Sequence, residues 1–337
     1  MPDLSPKRQR TDSEVVVRRR AAFDIGSGAT KLVIADVSGA RVTKVHFAKE
    51  VPVSFAIDWK KSTDGTLSDE IRAEGIAVLR RFVGVCEEHS VAADARCAVA
   101  TEVFRKAANG PSFLEEVRHQ VGLAVEVVTQ DVEADLGFRT AVALQDGPAQ
   151  GVICWDSGGA SFQITTPCAE TGDLRKYVGA LGSGVVAALL MGEVLGRDFA
   201  TAPTANPVKA SEAASLVQRL KQECPPAADW LRGSHVTAIG GPNSMFCVAC
   251  EVLGVSSYAL AELRRALSLV VGLTDDELLK MRCCQGDLRE PPSLIVSKIC
   301  LLLAVVEHCS IDQVTFCPAI GSCQGLLISE ERYAAAK

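Results

Sequence analysis

Long apolar stretches are missing from this 337-residue chain. The longest candidate, around Ile299 to Val306, falls well short of the ~20 residues that cross a bilayer and reads as a buried helix. The N-terminus is polar and basic, without the apolar core of a secretory signal, so no signal peptide and no membrane association are expected. Aromatic residues make up only 5% of the chain and are nowhere spaced as an RNA-stacking platform. No helix is strongly basic either, so no specific nucleic-acid module is expected. Paired cysteine patterns are lacking too. The thirteen cysteines are odd in number, scattered and mostly set among apolar neighbours, which reads as reduced core thiols in a reducing compartment. Cys247-Val248-Ala249-Cys250 is a lone CxxC with no second pair at zinc-ribbon spacing and weighs little as a metal site, and Cys283-Cys284 supports no functional reading.

What is present fits two cores. The chain exceeds one ordinary domain, is 48% hydrophobic and carries a net charge of −6. Charge is uneven: Lys7, Arg8, Arg10, Arg18, Arg19 and Arg20 face only Asp3, Asp12 and Glu14 in the first twenty residues. This segment reads as a disordered basic tail, 1–20, with a nuclear-import signal or a polyanion-binding arm as the functional alternative on an otherwise cytoplasmic protein. A coarse α/β alternation follows. Strands are expected near 21–27, 30–37, 41–48, 95–100 and 124–129, and again over 151–166, 174–178, 235–239 and 313–316. Ser68 should cap a helix from Asp69 to about His89, whose apolar stripe is Ile71, Ile76, Leu79, Phe82, Val83 and Cys86. Asp146-Gly147-Pro148 is the natural boundary between a first domain, 21–147, and a second, 148–330.

The strongest signal is a pattern that occurs twice, about 130 residues apart: Ala22-Phe23-Asp24-Ile25-Gly26-Ser27-Gly28-Ala29-Thr30-Lys31-Leu32-Val33-Ile34 and Val152-Ile153-Cys154-Trp155-Asp156-Ser157-Gly158-Gly159-Ala160-Ser161-Phe162-Gln163-Ile164. Each copy reads as an apolar strand, an Asp, a turn of small residues and a second apolar strand. Such a hairpin brings backbone N–H groups close to a ligand and aims a carboxylate at the turn. Together the two suggest a clamp in which Gly26, Ser27, Gly28, Gly158, Gly159, Ala160 and Ser161 hold phosphate, while Asp24 and Asp156 hold a divalent cation through water. Weaker phosphate signals are Thr101-Glu102-Val103-Phe104-Arg105, with an Arg suited to bidentate binding, and the glycine turns Leu181-Gly182-Ser183-Gly184 and Gly240-Gly241-Pro242-Asn243 ahead of helices. Glu133, taken alone, is an ordinary acidic residue in the first turn of a helix.

Taken in order, these segments resemble the exopolyphosphatase and guanosine pentaphosphate phosphatase (Ppx/GppA) family of the actin, sugar kinase and Hsp70 superfamily, over roughly residues 21–330. Gly325-Leu326-Leu327 falls in the family's order as well. The resemblance implies two ribonuclease-H-like domains flanking a cleft, hydrolysis of a terminal phosphoanhydride of polyphosphate or guanosine pentaphosphate, and Mg²⁺ near Asp24 and Asp156. It also implies Glu133 as the general base, Arg105, Gly182, Ser183, Gly240 and Gly241 on the phosphates, and compatibility with a homodimer. Three features depart from the family pattern. Gln163 stands where a Glu is common, which resembles the apyrase-type nucleotide hydrolases and suggests a water-orienting amide. Gly28-Ala29 replaces a polar pair. The chain also stops soon after the second domain, without the extra helical domains of longer members. Two alternatives follow: an apyrase-like nucleotide phosphohydrolase, and a non-catalytic polyphosphate or nucleotide sensor with the same cleft.

Overall fold

The computed structural model describes residues 16–144, 151–198, 201–286 and 290–334. Residues 1–15 of the basic tail and the boundary Asp146-Gly147-Pro148 lie outside them.

The first sheet is built from β1 (Arg18–Ile25), β2 (Ala29–Ser38), β3 (Arg41–Pro52), β4 (Arg96–Ala100) and β5 (Val125–Val127), in the order β3-β2-β1-β4-β5. The second is built from β6 (Cys154–Ser157), β7 (Phe162–Pro167), β8 (Leu174–Gly179), β9 (His235–Gly240), β10 (Ser257–Tyr258) and β11 (Gln313–Pro318), in the order β10-β11-β9-β6-β7-β8. The two share one plan. A three-stranded antiparallel meander, β1-β2-β3 or β6-β7-β8, pairs through its first strand with a parallel strand, β4 or β9. The repeated sequence pattern is therefore the first hairpin of each meander.

β1 shows why the central strands read as continuous apolar runs. Ala21, Phe23 and Ile25 enter one layer with Ile76, Leu79 and Phe82 of the Asp69–Glu88 helix, while Ala22 enters the opposite layer with Leu136, Cys323, Leu326 and Leu327. Both faces are buried, so alternation gives way to uniform hydrophobicity. The Asp69–Glu88 helix forms as its sequence dictates: Ser68 Oγ accepts from the Ile71 N–H at 3.2 Å, and the six residues of the expected stripe are all buried.

The buried helix expected around Ile299 to Val306 is longer than its apolar run, Pro292–Cys309, and is 72% buried. It is long and apolar enough to cross a membrane by composition, but it serves here as the central helix of the second half, packed on the helices Ala210–Glu223 and Leu260–Val270. Ser297 and Lys298 interrupt its hydrophobicity, and Lys298 is tolerated inside because it pairs with Glu290. The last helices, Cys323–Leu327 and Glu330–Ala334, return to the first sheet. Gly325 N–H donates to Thr140 Oγ1 at 2.8 Å, and the buried Arg20 donates to Leu327 O at 3.0 Å and to Glu330 Oε2 at 2.6 Å beneath the Tyr333 ring. All thirteen cysteines are free thiols and most are buried.

Candidate active site

The two hairpins are superposable in register. The Gly26 N–H donates to Ala29 O at 2.9 Å and the Gly158 N–H to Ser161 O at 2.9 Å, each closing its turn. Asp24 pairs across the first hairpin with Lys31, and Asp156 across the second with Gln163. A Cβ on Gly159 would stand 3.7 Å from Gly28 N and from Ser27 Cβ, so the tips approach to van der Waals distance. They border a cavity of about 240 Å³. Asp24, Gly26, Ser27, Gly28, Glu133, Asp156, Gly158, Gly159, Ala160, Ser161, Gln163, Ser183, Gly240 and Gly241 all line it.

Two expected phosphate contacts sit elsewhere. Arg105 is turned away from the cavity: its guanidinium bonds Val128 O and donates to Glu133 Oε2 at 2.9 Å. It grips the candidate base in place of the phosphate chain. Gly182 lies under the second hairpin, where a Cβ would overlap the Gly159–Ala160 peptide. The N–H groups of Ser183 and Gly184 are spent on Gly158 O (3.1 Å) and Gly159 O (2.8 Å), so this loop braces the hairpin. The helix that it opens, Ser183–Leu189, has only seven residues.

Several residues that the sequence reading passed over complete the site. Lys31 Nζ lies 3.5 Å from Asp24 Oδ2. Burial works against its charge, but Asp24, Glu50 and Asp156 outweigh burial and hold the ammonium well above its ordinary range. The Ser322 N–H donates to Asp24 Oδ2 at 2.9 Å, tying the C-terminal loop to the first Asp. Gly321 makes this approach possible, with φ +53 and no room for a Cβ beside Asp24 and Lys31. Gln163, already singled out in the sequence, is buried, and its Nε2 donates to Ser161 Oγ at 3.1 Å.

Both remaining acids are raised. Burial pushes Glu133 up to about 7; Arg105 pulls it down, and Asp24 and Asp156 add to the rise. Burial likewise pushes Asp156 up to about 6, with Lys31 opposing and Asp24 adding. A partly desolvated carboxylate held at that value gains from a nearby positive charge. Among the described residues no three acidic, histidine or cysteine side chains converge as direct ligands. Asp24 and Asp156 instead line the cavity one from each hairpin, beside Lys31 as a fixed positive charge.

Comparison with known proteins bears on the fold. Residues 32–174 match the model of the Ppx/GppA phosphatase family. The structure is similar to the Ppx/GppA family member of Aquifex aeolicus, at 22% identity over 94% of this chain and 98% of that one, with a TM-score of 0.70. It is also similar to an exopolyphosphatase from Cytophaga hutchinsonii, at 18% identity over 95% and 99% of the two chains, with a TM-score of 0.71. A nucleoside triphosphate hydrolase from Neospora caninum shares the fold at 10% identity, over 94% and 93%, with a TM-score of 0.60. Two topologically equivalent halves and the match over residues 32–174 make this a chain similar in fold to the Ppx/GppA phosphatases, with a segment that matches that family's model.

Proposed function

We propose that the protein removes the terminal phosphate from polyphosphate or a nucleoside polyphosphate by in-line attack of water. The observation that carries this is Glu133: a half-buried carboxylate, its side chain 12% exposed, pushed up to about 7 and fixed by Arg105, in the same cavity as both Asp-Gly hairpins. A base poised near neutrality both holds water and accepts its proton.

The hairpin N–H groups and Lys31 face the terminal phosphoryl oxygens and stabilise charge that spreads over them as the bond breaks. Gln163, steadied by Ser161, orients the water from the second hairpin. Arg105 acts through Glu133, fixing the carboxylate's direction and limiting its rise. Asp24 and Asp156 would hold Mg²⁺ through its water shell, and the bound ion would supply further charge neutralisation on the phosphate oxygens. The leaving group is a phosphate chain that departs readily as an anion, so positioning and neutralisation suffice without a strong acid.

The test is phosphate release from medium-chain polyphosphate, guanosine pentaphosphate and ATP, with and without Mg²⁺. Metal-dependent release from at least one of them is expected. Binding of these compounds without release from any would remove the hydrolase reading and leave a sensor.

A further inference from the structure

The helix Gln130–Leu144 carries Glu133 in its first turn and follows the last strand of the first sheet, yet it packs on β6, β7 and β9 of the second. Two cations hold that turn. Arg105, from the first half of the chain, donates to Glu133 Oε2 at 2.9 Å. Lys176, on β8 of the second half, takes the two acids that flank Glu133. Its Nζ lies 2.9 Å from Asp135 Oδ1 and 3.4 Å from Asp131 Oδ1, and donates to Asp131 O at 3.1 Å. Asp131 and Asp135, four residues apart, share one face of the helix and would repel each other without a cation between them. Glu133 is turned roughly 200° from Asp131 and stands on the other side.

In the β7–β8 pair Lys176 stands opposite Thr165, and Gln163 opposite Val178. Cross-strand partners and residues two apart project from one face, so Lys176 and Gln163 share a face of the second sheet. The strand pair that brings the water-orienting amide to the cavity therefore also grips the turn that brings the base. We propose that Lys176 is a positioning residue: by bridging Asp131 and Asp135 it fixes Glu133, from the first half, at the separation from Gln163, of the second half, that attack by water requires. The inference rests on the phosphohydrolase reading for what Glu133 does, but the contact itself is testable without turnover. The side chains of Asp131 and Asp135 are 78% and 44% exposed, and exposed ion pairs add little to stability. A displacement of about 1 Å at a reacting group, by contrast, can cost about a hundredfold in rate. Lys176 thus bears on rate far more than on folding.

Lys176→Met, Lys176→Arg and the double variant Asp131→Asn, Asp135→Asn are compared with the wild type by steady-state kinetics on its best substrate and by amide hydrogen exchange. In Lys176→Met kcat should fall at least about tenfold, with KM held within about twofold and Tm within about 3 °C. The acid limb of the pH–rate profile should stay in place, because Lys176 pairs with the flanking acids and not with Glu133. Lys176→Arg should recover kcat to within about threefold of the wild type. The double Asp variant should lose about as much as Lys176→Met, and combining all three substitutions should cost no more, since the three side chains act as one unit. Exchange over residues 130–137 should quicken at least about fivefold in Lys176→Met and stay unchanged elsewhere. An unchanged kcat, a loss that Lys176→Arg does not rescue, or losses that simply add overturns the proposal. If the wild type releases no phosphate, the hydrolase reading falls and exchange decides: quickening confined to 130–137 keeps Lys176 as the tether of that turn, and unchanged exchange discards it.

Discussion

Lys31 stands directly across the first hairpin from Asp24, with its Nζ 3.5 Å from Asp24 Oδ2, in the place that Gln163 takes opposite Asp156 in the second. The duplicated hairpin thus carries a positive charge in one copy and a neutral amide in the other. Removing the ammonium leaves Asp24, Asp156 and Glu50 without their fixed counter-charge. Lys31→Met is expected to lower kcat/KM about a hundredfold and to raise the Mg²⁺ concentration needed for half-maximal rate. Steady-state kinetics across a Mg²⁺ titration checks both; an unchanged metal requirement would show that Lys31 does not share the charge load.

Glu133 must be ionised to act as a base, and burial holds it up at about 7. The rate should therefore climb with pH through about 7 and level off above it. The same shift bears on stability. A carboxyl raised in the folded state binds its proton more tightly than in the unfolded chain, so stability is lost as pH rises from about 4.5 to about 7 and stays lost above. Glu133→Gln removes that cost and still accepts from Arg105. Its Tm above pH 7 should exceed that of the wild type by about 2–4 °C, which corresponds to about 1 kcal/mol in a domain of this size. Thermal scans at pH 5 and pH 8 check this, with the gain confined to pH 8.

Arg105 opposes the rise of Glu133 through its charge and its hydrogen bond. Arg105→Ala is expected to move the acid limb of the pH–rate profile to higher pH, and Arg105→Lys to move it less. A guanidinium that served only to bind phosphate would instead raise KM and leave the limb in place.

Gly321 sits where a Cβ would overlap Asp24 Oδ2 and the Lys31 side chain, at φ +53. Gly321→Ala combines backbone strain with displacement of Asp24. A destabilisation of about 1–3 kcal/mol in denaturant melts, with a loss of activity larger than that of stability, is expected.

The hairpins were legible because their pattern is local: an Asp at a strand end, small residues in the turn and β-branched flanks. Gln163 was legible for the same reason. Lys31 was passed over, although aligning the two copies on their Asp residues places it and Gln163 at the same step, seven residues on. Arg105 was assigned to phosphate because an Arg after a strand end suits an anion. The structure gives it to Val128 O and Glu133, a tertiary pairing across 28 residues that no local pattern encodes. Ser322 meets Asp24 across 298 residues, and Glu50 meets Gly241 from the other half of the chain, so neither left a signal near its own position. The 181–184 turn looked like an anion site because glycine before a helix serves packing and phosphate alike; here its N–H groups are taken by the hairpin.

In the proposed reaction Glu133 activates water in this cleft. The most direct measurement is phosphate release by Glu133→Gln against the wild type on the best substrate at pH 8, with binding of that substrate to both proteins measured alongside. A fall in kcat of at least about a hundredfold with binding retained is expected. A variant that binds substrate and hydrolyses it at the wild-type rate would contradict it.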